Sequence, residues 1–165
     1  PFSDLKYYSV YNMTKYYMPV YDEFILYLKA SIAHGGGYSN KGLPFFENYY
    51  AGGMGTIRGF VQNSLGPKDL FGDSLGGSNQ LAGTVELFLP KLFASNVAWR
   101  PSVFVDTANV FSGKIKLGEM RVAAGLGIQW LSPLGPLSLS YALPIKHNRK
   151  KDNLRAFNFS VGSSF

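Results

Sequence analysis

The sequence predicts an all-β fold, an antiparallel transmembrane β-barrel, and three observations lead to that class. Apolar side chains alternate with other residues at a period of two, which places them on one face of each strand. The opposite faces carry little charge, and charged residues are only 16% of the chain, against roughly 25% in an average soluble domain. Short and long connections follow one another, as in outer-membrane barrels. We therefore expect a single domain, residues 1–165, that crosses a membrane with strands.

Seven segments show the alternation, and we interpret each as one strand. The first is rich in tyrosine, and its pattern leaves open which residues share a face. In chain order the predicted strands span residues 5–18, 24–34, 81–90, 97–110, 122–130, 137–143 and 157–165. The apolar faces of the last five strands carry Val85, Leu87 and Leu89; Trp99, Val103 and Val105; Val122, Ala124, Leu126, Ile128 and Trp130; Leu137, Leu139, Tyr141 and Leu143; and Phe157, Phe159, Val161 and Phe165.

The charge on the opposite faces separates two classes that share this alternation. In a soluble sandwich or lipocalin the apolar faces point inward, and in a membrane barrel they point to lipid. A soluble outer face is usually about 25–35% charged. Here the only charged residues on the non-apolar faces of 81–89, 103–110, 122–130, 137–143 and 157–165 are Glu86 and Asp106. Small neutral faces suit a polar lumen, so the sequence favours the membrane barrel.

The connections support the same class. The short ones each contain a proline and the others are longer, which is typical of periplasmic turns and external loops. The short connections are 19–23, 90–96 and 132–136, and the long ones are 35–80, 111–119 and 144–155. Aromatic residues lie on apolar faces beside the short turns and predict an aromatic girdle at the membrane interface: Phe24, Trp99, Trp130 and Phe165.

The connection 35–80 is far longer than the 12–15 residues above which unstructured loops become uncommon, so we expect it to fold into the lumen. There Arg58 needs an anion, and the strand carboxylates Glu86 and Asp106 are its natural partners because a guanidinium binds two acceptors at once. Phe60 could then pack against lumenal side chains such as Phe104. The composition leaves open the alternative of a solvated loop whose arginine contacts nothing.

Several motifs, in order, resemble the Omp85 superfamily. They are Phe46-Glu-Asn-Tyr-Tyr-Ala-Gly-Gly53, Ile57-Arg-Gly-Phe60, Gly66-Pro67, Val85-Glu86-Leu87, Phe104-Val-Asp106, Trp130-Leu-Ser-Pro-Leu-Gly-Pro-Leu137 and Ser140-Tyr-Ala142. The resemblance implies the C-terminal part of a sixteen-stranded barrel in the bacterial outer membrane, with 35–80 as its sixth external loop. The loop motif implied by the family is Gly52, Gly53, Ile57, Arg58, Gly59 and Phe60, with lumenal partners Glu86, Phe104 and Asp106. The family usually has Val at the position of Ile57.

The resemblance also implies a function and partners. Residues 155–165 resemble the β-signal of outer-membrane proteins, with Phe157, Phe159, Val161, Gly162 and a terminal aromatic, Phe165. The family folds and inserts β-barrel clients through a seam between its first and last strands, together with accessory lipoproteins and beside lipid and lipopolysaccharide. The chain lacks the family's POTRA domains and the N-terminal half of the barrel, so we expect it to be a piece of a longer protein. Alone, it should aggregate or exchange edge strands.

Other functions find little support in the sequence. The chain has no cysteine, which excludes thiolate zinc sites and cysteine nucleophiles, and His34 and His147 form no catalytic pattern with acids. We expect no enzyme activity, no cofactor, no metal and no nucleic-acid partner. The net charge of +6 comes partly from the run 146–155, which we interpret as solvated more readily than as a contact for lipopolysaccharide phosphates. The alternatives are a two-partner secretion transporter of the same superfamily, a barrel enzyme or a passive porin.

Overall fold

A computed structural model describes residues 6–38, 42–90, 99–132 and 135–162 of the chain. Nine strands form in this part: β1 (Tyr7–Tyr21), β2 (Phe24–Gly37), β3 (Gly59–Phe60), β4 (Asn79–Phe88), β5 (Trp99–Phe111), β6 (Arg121–Ser132), β7 (Gly135–Lys146), β8 (Leu154–Arg155) and β9 (Phe157–Val161). Two single turns of 3-10 helix span Phe45–Glu47 and Leu117–Glu119. Among the described residues, no helix has the length and apolar character needed to cross a membrane.

The long strands form one seven-stranded antiparallel sheet in the order β1-β2-β4-β5-β6-β7-β9. Each strand pairs with the next long strand in the chain, and the sheet is open, with β1 and β9 at its edges. The all-β antiparallel prediction and its seven strands are therefore confirmed. The two-residue strands β3 and β8 pair separately as a small antiparallel ribbon, which the sequence did not predict.

The two faces of the sheet differ as the alternation predicted. Apolar side chains such as Val85, Val105 and Leu126 are exposed, while Thr84 and Ser140 on the opposite face are buried. We call this buried side the lumenal face. The β3–β8 ribbon lies on it, since a Cβ at Gly59 would sit 3.3 Å from the Cβ of Ala123. The apolar sides thus do not meet each other in a dry sandwich in the described part of the chain.

The connection between β2 and β4 covers the lumenal face and forms the core of the fold. Its fully buried residues Ala51, Ile57, Phe60 and Leu65 cluster with small wall residues, Ala82, Ala108, Val110 and Ala123. Small wall residues let the loop backbone approach closely. In β6, a Cβ at Gly127 would lie 2.6 Å from the Ser102 hydroxyl oxygen, so a side chain there would displace the hydroxyl that donates to Glu86. The polar wall predicted from small residues is therefore a packing surface for the loop.

The bounds of several elements differ from the sequence prediction. β1 runs on to Tyr21 and β2 starts at Phe24, because Asp22 adopts a left-handed φ of 48° in a two-residue turn, which Asp tolerates. The long connection accordingly runs from 38 to 78. In the predicted girdle, Trp99 and Trp130 are opposite each other and stack with centroids 5.2 Å apart. Phe165 lies outside the described residues, as do 91–98.

Candidate functional site: an arginine held by two carboxylates

A tight glycine turn directs the loop arginine. The amides of Thr56 and Ile57 donate to the carbonyl of Gly53 at 3.1 and 3.0 Å, and the Gly52 amide donates to the Thr56 hydroxyl at 2.8 Å. Gly52 and Gly53 have φ values of 122° and 83°, a region that side chains rarely adopt. A Cβ at Gly52 would also overlap a backbone carbonyl oxygen. The glycines of the motif are therefore required by the shape of the turn.

Arg58 leaves this turn and binds Asp106 of β5 with three donors. Its backbone amide and its Nε donate to Oδ2 at 3.0 and 2.7 Å, and an Nη donates to Oδ1 at 2.9 Å. Two parallel bonds from one guanidinium to one carboxylate fix both the distance and the plane of the pair. Asp106 is only 1% exposed, so the pair lies inside the fold.

Glu86 and Phe104 complete the surroundings of Arg58. The Arg58 Nη lies 3.0 Å from Oε2 of Glu86, whose other oxygen accepts from the Ser102 hydroxyl at 2.6 Å. The guanidinium carbon sits 3.3 Å from the centroid of the Phe104 ring, a cation–π geometry. The sequence analysis expected Phe60 to pack against Phe104. In the structure the Arg58 guanidinium covers the Phe104 ring, and Phe60 packs in the alanine-rich cluster. We call Arg58, Glu86, Phe104 and Asp106 the arginine clamp.

The two carboxylates of the clamp stabilise the charged form of Arg58. Burial alone would lower the pKa of the Arg58 guanidinium, but hydrogen bonds and charge from Asp106 and Glu86 outweigh it and raise that pKa above its ordinary value. One cation between two carboxylates leaves a local charge of minus one, and removing the cation would leave two buried anions. Breaking such a pair costs about 3–5 kcal/mol. The clamp therefore makes the loop position sensitive to a single side chain.

The tip of the loop reaches across the sheet. The Lys29 ammonium of β2 donates to the carbonyl of Gly55 at 2.6 Å, and the Ser140 hydroxyl of β7 lies 3.4 Å from the sulfur of Met54. Gly59, with φ of 92°, passes so close to the wall that a Cβ would lie 3.4 Å from that of Ala142. The loop thus bridges strands from β2 to β7.

The last external connection is joined to this loop through its backbone, while the basic side chains of 146–155, apart from the half-buried His147, are exposed, as the solvated interpretation predicts. Gly59 and Phe60 pair with Arg155 and Leu154, and the Val61 amide donates to the Asn153 carbonyl at 2.9 Å. Only backbone groups take part in this pairing, so no charged side chain in the sequence indicates it. A two-residue strand also shows no periodicity, so sequence reasoning missed it.

A second ion pair fixes the same connection and was also missed. Arg121 at the start of β6 donates to both oxygens of Asp152 at 2.8 and 3.1 Å, and the Asn148 amide donates to Asp152 at 2.6 Å. The Asp152 side chain is only 2% exposed. The sequence does contain a signal for this ion pair, because Asp152 is the one acid in the otherwise basic segment 144–155.

The terminal strand β9 is paired on one side. It follows β7 in register from Leu137 with Val161 to Tyr141 with Phe157, and no further strand of the described sheet lies on its other edge. Phe157, Phe159 and Val161 are exposed on the apolar face. Gly162 bends with φ of 68°, and its amide donates to Pro136 at 2.9 Å. Phe165, the predicted terminal aromatic, lies beyond the described residues.

Metal ligands do not cluster in the described ranges, where no group of three or more His, Asp or Glu could hold an ion. His34 lies on the outer face of β2, 3.0 Å from the Tyr8 hydroxyl. The described site consists of an ion pair that holds a loop and, at β9, a strand at the edge of the sheet.

An apolar outward face, a loop-filled polar face and an open antiparallel sheet define an integral outer-membrane β-barrel protein. The chain belongs to the Omp85 superfamily, whose domain model matches residues 1–165. It is 34% identical, over its whole length, to the outer membrane protein assembly factor BamA of Neisseria meningitidis serogroup B. It also matches a SAM50-like protein of Schizosaccharomyces pombe at 28% identity over 77% of the chain.

Solved structures agree with these relatives. The crystal structure of BamA from Haemophilus ducreyi lacking POTRA domains 1-3 superposes with a TM-score of 0.86 at 36% identity, covering 100% of this chain and 36% of that one. The chain spans 25% of the length of the Neisseria relative and 29% of that of the fission-yeast relative. It fits the C-terminal part of the BamA barrel, as the motifs predicted.

Proposed function

We propose that this chain is the C-terminal barrel segment of a protein that folds and inserts β-barrel proteins into the outer membrane. The names of its bacterial relatives, outer membrane protein assembly factors, support this role. The observation that carries the proposal is a physical connection. The loop anchored by Arg58 pairs through Gly59 and Phe60 with Leu154 and Arg155, two residues before the terminal strand begins at Phe157.

In this proposal the arginine clamp is a brace for the terminal strand. Asp106 and Glu86 hold Arg58 against the wall, and the next two residues of the loop hold β8. The orientation of β9 is thus coupled to an ion pair deep in the lumen. A loosened clamp would weaken the hold on β8 and the start of β9, because the ribbon has only two residue pairs of its own and the Arg121–Asp152 pair would be the remaining ion pair on this connection.

The free edge of β9 is the proposed place where clients act. An unpaired strand edge presents a row of amides and carbonyls to which an extended segment can add. Such addition needs no bond cleavage, so we propose that the parent acts without a catalytic residue, nucleotide or cofactor. Its exposed apolar face would contact lipid, and accessory lipoproteins and lipopolysaccharide are the further partners we propose.

The test is the folding of a denatured β-barrel client in liposomes that contain the full-length parent. We expect the parent to accelerate folding over protein-free liposomes, and Arg58→Ala to remove most of that gain at equal amounts of inserted parent. The matched control is Arg149→Ala, which removes an exposed arginine of the last external loop. Client folding is read from the resistance of folded barrels to unfolding in detergent on unheated gels.

Two results would contradict the proposal. A parent that leaves client folding at the protein-free rate has no assembly function. A parent that instead passes an unfolded polypeptide through the liposome membrane is a two-partner secretion transporter, and its loop must then leave the lumen during passage.

A further inference from the structure

Two lysines face each other on the lumenal side of the first hairpin. Lys15 of β1 and Lys29 of β2 are direct cross-strand partners, and both lie in register with the lumenal positions of the sheet. Like charges that lie directly opposite on one face of a sheet destabilise the pair. An uncompensated pair of this kind calls for an anion.

The lumenal acids of the described wall form no ion pair with these lysines. Asp106 binds Arg58 through both oxygens, and Glu86 is shared between Arg58 and Ser102. None of the ion pairs formed by the described residues includes Lys15 or Lys29. Lys29 has one hydrogen bond, to the Gly55 carbonyl, and an ammonium has three donors. The two lysines therefore retain donors and charge for a further partner.

A cavity lies beside them. It has a volume of about 400 Å³ and borders the loop tip at Met54 and Gly55 as well as Lys15 and Lys29. Its other lining residues include Tyr11, Tyr27 and Met13, which make its surroundings partly apolar, and Arg58 and Glu86 of the clamp. Since the clamp carries a charge of minus one and the two lysines carry plus two, the region keeps a net charge of plus one. A charge pair is stronger in such surroundings than in water. Ser160 of β9 also borders the cavity, so both edge strands of the open sheet reach it.

We propose that Lys15 and Lys29 form a binding site for a polypeptide carboxylate, supplied by an Asp or Glu of the parent protein outside residues 1–165. Charge complementarity selects a carboxylate, and a volume of about 400 Å³ admits side chains with a short stretch of backbone. The relatives provide the length of chain required, since this segment spans 25% of the Neisseria protein. The acidic segment enters beside the edge strands and holds the hairpin β1–β2 to the loop tip. This site adjoins the proposed client edge of β9, because Ser160 of β9 borders the same cavity.

Carbodiimide coupling tests the proposal, because it joins a lysine amine to a carboxylate only where the two are in contact. The full-length parent in outer-membrane vesicles is treated, digested and analysed by mass spectrometry. We expect crosslinked peptides that join Lys15 or Lys29 to an Asp or Glu outside residues 1–165. Lys116 and Glu119, whose charged atoms are 3.3 Å apart, serve as the internal positive control.

Matched variants keep the barrel charge while removing the amine. Lys15→Arg and Lys29→Arg should each keep the heat resistance of the barrel and reduce their own crosslink to background. The proposal is overturned if Lys116–Glu119 couples and neither Lys15 nor Lys29 does. Coupling of these lysines only to Glu86 or Asp106, or only to an added client, overturns it as well.

Discussion

Arg58 and Arg121 both tie a loop to the wall, but the two pairs run in opposite directions. Arg58 is on the loop and its carboxylates, Asp106 and Glu86, are on strands. Arg121 is on a strand, and its carboxylate, Asp152, is on the loop. The guanidinium of Arg58 also lies over an aromatic ring. The difference shows when the anchor of a loop can be predicted from the sequence. An acid on an otherwise neutral strand is a clear candidate, whereas an acid in a charged loop is not.

The two pairs also differ in what surrounds the guanidinium. Asp106 and Asp152 each accept two hydrogen bonds from the arginine side chain and one from a backbone amide, but Arg58 also lies 3.0 Å from a second carboxylate, that of Glu86. The side chain of Arg121 is 13% exposed, and that of Arg58 is 10% exposed. Nearly equal burial and equal hydrogen bonding to the aspartate make the pairs a controlled comparison of what a second carboxylate adds to the hold on a loop.

The largest expected effect is at the clamp. Asp106→Asn should lower the free energy of unfolding of the parent barrel by about 3–5 kcal/mol, since it breaks a buried pair that fixes Arg58. Glu86→Gln should cost less, because Glu86 receives one Arg58 contact and retains the Ser102 hydroxyl as a neighbour. Urea titration of the barrel in detergent, followed by gel mobility, measures both. Equal losses of unfolding free energy for the two variants would mean that the two guanidinium hydrogen bonds to Asp106 stabilise the barrel no more than the single contact with Glu86.

A smaller effect is expected at the second pair. Arg121→Ala should cost about 1–3 kcal/mol, the penalty for a buried acceptor that loses a partner, and should expose the last external loop to trypsin at Lys150 and Lys151. The exposed ion pair of Lys116 with Glu119 provides the control, since the Lys116 side chain is 68% exposed. Lys116→Ala should change the free energy of unfolding by less than about 1 kcal/mol, because solvent screens such pairs. Unchanged trypsin resistance in Arg121→Ala would show that the β3–β8 ribbon alone holds this loop.

Much of the fold could be predicted because membrane strands leave a strong pattern. Alternation of apolar and small residues located all seven long strands. Glu86 and Asp106 could be predicted as partners of Arg58 because they are the acids on the otherwise neutral faces of these strands. The glycines at 52 and 53 were recognised as a motif, but their positive φ values and the turn to Thr56 needed coordinates. Strand ends shifted by a few residues where turns, as at Asp22, override the pattern.

The parts that could not be predicted depend on backbone pairing between distant segments. The pairing of Gly59 with Arg155 belongs to a ribbon of two residue pairs that uses only main-chain groups, so the side chains give no signal from which it could be predicted. Asp152 lies among lysines and arginines, and a charged loop usually indicates solvation. The cross-strand opposition of Lys15 and Lys29 depends on register, which the tyrosine-rich first strand left open.

The most direct test of a loop held inside the barrel is a crosslink between positions 54 and 140 in the full-length parent in outer membranes. The chain has no cysteine of its own. The Met54 sulfur lies 3.4 Å from the Ser140 hydroxyl, neither residue has a positive φ, and Arg58 remains intact. We predict that a short bifunctional thiol reagent joins Met54→Cys to Ser140→Cys, and that position 54 resists an impermeant maleimide, which labels Gly118→Cys on the external loop. Free labelling of Cys at position 54 from outside the cell, without a crosslink, would contradict the account.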